Sequence, residues 1–125
     1  MCLITKQTEP FIADKEIAVY KVLERNNTSP FLYFRYKHGK NKAEKEKEIR
    51  YVAPYNFIEG GFLHAYTTWK MAATENPLSW KVRKMYVPVG AEYYISYCGT
   101  EICTPELVWK TPFRRIIDFF KKKKD

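Results

Sequence analysis

Between residues 16 and 24 the stretch "EIAVYKVLE" sets Ile17, Val19, Lys21 and Leu23 against Ala18, Tyr20 and Val22. β-Branched and aromatic residues dominate it, so the two-residue alternation predicts a strand covered on both faces. "RNNTSP" reads as a turn, and "FLYFRYK" (31–37) alternates Leu32, Phe34 and Tyr36 with Phe31, Tyr33, Arg35 and Lys37, the pattern of a strand with one wet face. The two strands are expected to form a hairpin. "GKNKAEKEKEIR" (39–50) has no apolar periodicity and is expected to be an exposed loop or a solvated helical turn.

"FLHAY" (62–66) predicts a short strand entered through Gly60 and Gly61, and Thr67 or Thr68 is placed to cap a short helix over "WKMAATEN" before Pro77. The β pattern returns in "SWKVRKMYVPV" (79–89) and "EYYISYC" (92–98), and "EICTPELVW" (101–109) is a last strand broken at Pro105. The tail changes period: Phe113, Ile116, Ile117 and Phe120 recur at helical spacing behind Thr111 and Pro112, with Lys121, Lys122, Lys123 and Lys124 at the end the helix dipole favours. The expectation is an α+β fold: a mainly antiparallel sheet of about five or six strands, one short internal helix and a C-terminal amphipathic helix. Residues 1–110 are expected to form the domain and 111–125 the basic helix.

Composition supports a folded body, because hydrophobic residues make up 46% of the 125 and aromatics 17%, enough apolar area to offset chain entropy. The net charge of +8 is concentrated: residues 35–50 hold seven basic and three acidic side chains, residues 114–125 six and two. The remainder balances, so a near-neutral body carries two cationic segments. The start, "MCLITKQTEPF", shows neither a basic opening nor an apolar stretch, and no apolar run approaches the roughly 20 residues that span a bilayer. A cytoplasmic protein of the host cell, or a virion component, is expected. Cys2, Cys98 and Cys103 are too few for a disulfide framework.

Candidate chemistry is sparse. His64 and Tyr66 share a strand face and are the candidate catalytic pair, but no acid lies at a spacing that would orient the imidazole. Cys98 and Cys103 stand five apart, which is not a zinc knuckle, so no metal site is expected, and no cofactor either, since "GxGxxG" and "GxxxxGK" are both missing. Arg35, Lys37, Lys40, Lys42, Lys45, Lys47 and Lys121–Lys124 are the candidate contacts to nucleic acid or another anion, interleaved in part with aromatics that could stack bases. Phe113, Ile116, Ile117 and Phe120 form an apolar stripe that must cover something, and a protein partner or a second copy is expected there. Such a basic helix also suits the surface of an anionic membrane.

The stretches "MCLITKQTEPFIADKEIAVYKVL", "SPFLYFRY", "GGFLHAY" and "KMYVPVGAEYYI" resemble a group of short, functionally uncharacterised proteins of gut Bacteroides-type bacteria and their phages. The resemblance implies a phage or prophage setting and carries no catalytic residue with it. In outline the order of elements is also similar to ADP-ribosyltransferases, but "TT" at 67–68 is not the serine element of that family and Glu106 has no glutamate two residues away. The ranking that follows puts a non-enzymatic protein-interaction module first. Sequence-tolerant nucleic-acid binding is second, and a nucleotide-using enzyme is third.

Overall fold

In the computed structural model, which describes residues 3–24, 27–28, 34–74 and 81–110, eleven short strands and one helix are assigned. The strands are β1 (Leu3–Thr5), β2 (Phe11–Ile12), β3 (Ile17–Leu23), β4 (Gly39–Lys42), β5 (Glu48–Val52), β6 (Tyr55–Gly60), β7 (Leu63–Tyr66), β8 (Lys81–Val87), β9 (Glu92–Ile95), β10 (Glu101–Thr104) and β11 (Glu106–Trp109). The helix α1 (Trp69–Thr74) lies between β7 and β8. All pairings are antiparallel: a three-stranded sheet ordered β1-β6-β5 and an eight-stranded one ordered β2-β9-β10-β7-β3-β8-β11-β4. The fold is therefore mostly β, which corrects the α+β expectation. The expected C-terminal helix, 111–125, lies outside the described residues.

The large sheet rolls up. β10 and β11 are halves of one segment bent at Pro105, and they pair with the two outer edges of the β7-β3-β8 triplet. Pro105 suits the bend because it has no N–H to donate to a ladder. Inside lie Val19, Leu23, Leu63, Ala65, Met85, Val87, Ile102, Leu107 and Trp109, drawn from all five strands of this ring by their alternation. Tyr36 and Ala13 join the same cluster. A second, smaller core of Leu3, Ile58, Phe62, Tyr94 and Cys103 joins the three-stranded sheet to the outer face of the large one.

Two local expectations change. β3 pairs along its whole length with β8 and at Tyr20 with β7, and the described part of the expected partner, 34–37, makes only an isolated Thr28–Arg35 bridge rather than a ladder with β3. A strand covered on both faces finds in β8 a seven-residue partner that matches it position for position. The charged segment 39–50 supplies β4 and most of β5, not a loop or helical turn. β4 is braced by the buried Asn41, whose amide accepts from the Lys37 N–H at 2.9 Å and donates to the carbonyls of Lys37 and Leu107. The internal helix is present and capped by Thr68, whose hydroxyl accepts from the Met71 N–H at 3.2 Å.

Candidate functional site

The candidate pair His64 and Tyr66 stands on β7, on the face away from the barrel interior. Tyr66 lies across from Tyr20 on β3 and from Glu101 on β10, and His64 lies across from Cys103. An imidazole, a phenol, a carboxylate and a thiol thus share one sheet face, a grouping that sequence spacing did not reveal because it depends on strand register. The environment quiets them. Cys103 is fully buried under the small sheet, and burial pushes its thiol up to about 12. Burial, helped by the Lys21 ammonium, pulls His64 down to about 4. At neutral pH the pair is a thiol beside a neutral imidazole, without the thiolate that nucleophilic catalysis requires.

Lys21 reaches this strand from within the barrel. Its Nζ donates to the His64 carbonyl at 2.5 Å, beyond the one register position, Tyr20–Tyr66, at which β3 and β7 are paired. The sequence does carry a signal for it, a lysine in the apolar row Ile17, Val19, Leu23.

The basic candidates fall into groups. Lys40 and Lys42 project from β4, the edge of the large sheet, and Arg35 and Lys37 are exposed on the segment leading to it. Lys40 is 3.9 Å from Glu106, and Lys47 pairs with Glu92, so two of the cations are already partnered by carboxylates. Lys45 is exposed. Lys42, Glu92, Glu106 and Ile12 line a shallow cavity of about 390 Å³ around Pro105, where charges of both signs face one another. Lys121–Lys124, with Phe113, Ile116, Ile117 and Phe120, lie outside the described residues. Among the described residues no three His, Cys, Asp or Glu side chains are grouped to hold a metal ion, and no helix is long and apolar enough to cross a membrane.

One exposed apolar strand is a feature the alternation rules did not find. All five residues of β5 are exposed, with Ile49 at 45%, Tyr51 at 65% and Val52 at 47%. Among the described residues β5 pairs with β6 on one side only, through a hairpin closed by Ala53 and Pro54, and no described strand continues the ladder at its other edge. Arg50 is tied back to Glu59 at 2.9 Å and lies over Phe57, which stiffens the hairpin. The signal available in the sequence was the tripeptide Arg50-Tyr51-Val52 before a proline turn.

No protein-family model, curated protein or solved structure matches the chain.

Proposed function

We propose that the protein is a non-enzymatic interaction module that binds another protein chain through the outer edge of β5. The single observation that carries this reading is a strand exposed along its whole length, apolar at Ile49, Tyr51 and Val52 and, among the described residues, unpaired on one edge. The occupant is an extended segment of a partner protein laid antiparallel to β5, its backbone completing the ladder and its side chains meeting Ile49 and Tyr51 on one face and Val52 on the other. The resemblance to short phage and bacterial proteins suggests a virion component or accessory factor as the setting. The C-terminal stripe at Phe113, Ile116, Ile117 and Phe120 would serve the same role as a second contact.

Nucleic-acid binding is the alternative, weakened by the carboxylates that partner Lys40 and Lys47. The enzyme reading is weaker still, since the His64 imidazole is held neutral beside an inert thiol.

The test compares the full chain with an Ile49→Lys/Tyr51→Lys double variant, both changes at exposed positions. A partner captured by the wild type is purified and titrated against each, and hydrogen exchange maps the contact. The expected result is protection at residues 48–52 and an affinity loss of about tenfold or more in the variant. Unchanged affinity, protection confined to other residues, or a contact made only between copies of this chain overturns the proposal.

A further inference from the structure

Strands β3 and β8 set two cations directly opposite one another on the face that lines the barrel. Lys21 stands across from Arg83 in the register of this pair. Val19 and Leu23, on either side of Lys21 in the alternation, belong to the core, as do Met85 and Val87 beyond Arg83. Opposed side chains in such a pair have Cβ atoms about 4.5–5.5 Å apart, and like charges there repel. Neither cation has an ion pair among the described residues, where the pairs are Lys40–Glu106, Lys47–Glu92, Arg50–Glu59 and Lys110–Glu16.

What surrounds the two cations is aromatic. Lys21 Nζ lies 5.4 Å from the centre of the buried Tyr36 ring, and the Arg83 guanidinium lies 5.9 Å from that of the buried Trp109. His38 packs on Trp109 at 4.2 Å between ring centres. A ring face offers partial negative charge but no acceptor for a guanidinium fork. Arg83 Nε is buried without a hydrogen-bond partner among the described residues. Burial pulls the Lys21 ammonium down to about 8, against the opposing charge of Glu101, which stands on the opposite face of β10 from the core residue Ile102. A missing negative charge is the simplest account of two facing cations, an orphaned Nε and flanking rings.

We propose that Lys21 and Arg83 form the binding site of a small oxyanion, a carboxylate or phosphate group, gripped at the barrel end between the Tyr36 and Trp109 rings. Both side chains keep part of their surface in solvent, so the ligand reaches them from outside. The guanidinium supplies a planar fork, and the ammonium adds a point charge with N–H groups left after the His64 carbonyl is served. This inference is independent of the β5 edge.

The experiment follows thermal unfolding of the full chain in sodium phosphate and in sodium succinate, each against sodium chloride at matched ionic strength. The expected result is a saturable rise in Tm with at least one of the two anions, and which one responds separates a phosphoryl from a carboxylate ligand. Lys21→Met should weaken the apparent affinity about tenfold or more, read as the shift each anion produces relative to that variant's own Tm in chloride. Arg83→Lys should retain part of the response, and it carries the comparison if Arg83→Met does not fold. A wild-type Tm that moves no further in either anion than in chloride overturns the site, as does a full response in Lys21→Met.

Discussion

His64 shows how burial settles a residue's chemistry. The burial of its ring, with the Lys21 ammonium on its carbonyl adding to it, opposes a second proton, so the folded-state value falls to about 4 from 6.5. The unfolded chain then binds more protons than the folded one between those values, and stability declines as pH falls from about 6.5 to about 4. At 1.36 kcal/mol per pH unit the loss is on the order of 3 kcal/mol. Urea unfolding at pH 7, 5.5 and 4.5 should show His64→Gln losing less stability than the wild type across this window; parallel losses would mean that His64 is not the responsible group. That His64 and Tyr66 share a face was legible from their spacing. That Glu101 and Cys103 stand opposite them was not, because register between strands some 35 residues apart in the chain leaves no local mark. The same holds for Lys21, visible as an intruder in an apolar row, and Arg83, whose place across from it was hidden.

Strands that bury a face announce themselves, and strands that bury neither do not. β3, β7 and β8 were legible because their core residues recur every second position. β5 was not, since all its positions face water and its charges mask the period. β4 hides differently: its buried position is the polar Asn41, satisfied by backbone groups. The Gly60–Gly61 corner at the end of β6 was readable as a bend, but its second demand was not. Gly61 combines a φ of +77° with a packing site in which a Cβ would stand 2.5 Å from the Lys47 N and Cα. Gly90, with φ +86°, has open space around it. Gly61→Ala should therefore cost more than Gly90→Ala, which carries only the backbone term of about 1 kcal/mol. Urea midpoints of the two variants check this, and equal losses would show that segment 46–48 yields freely.

For the molecule as a whole, antiparallel β structure was foreseen and its extent was not. The apolar content foretold a core, but counting strands by alternation found about half of them, because short strands of two to four residues hold too few alternations to stand out. The bent pair β10 and β11 was legible as a strand broken at Pro105; that the break joins the two sides of a ring could be seen only from the pairings. It has a consequence for the chain as it leaves the ribosome. β3, made early, has β7 and β8 to lie against, yet Val19, Met85 and Leu63 stay uncovered on the remaining side until residues 101–109 have cleared the exit tunnel. Nascent chains stalled at residue 100 with a linker through the tunnel should be cut rapidly by protease, while those stalled beyond residue 110 should resist. Equal resistance at both lengths would mean that the earlier strands shelter their own interior. During synthesis, then, a greasy trough stands open from the emergence of β8 until β10 and β11 follow, and the last of the described strands is its lid.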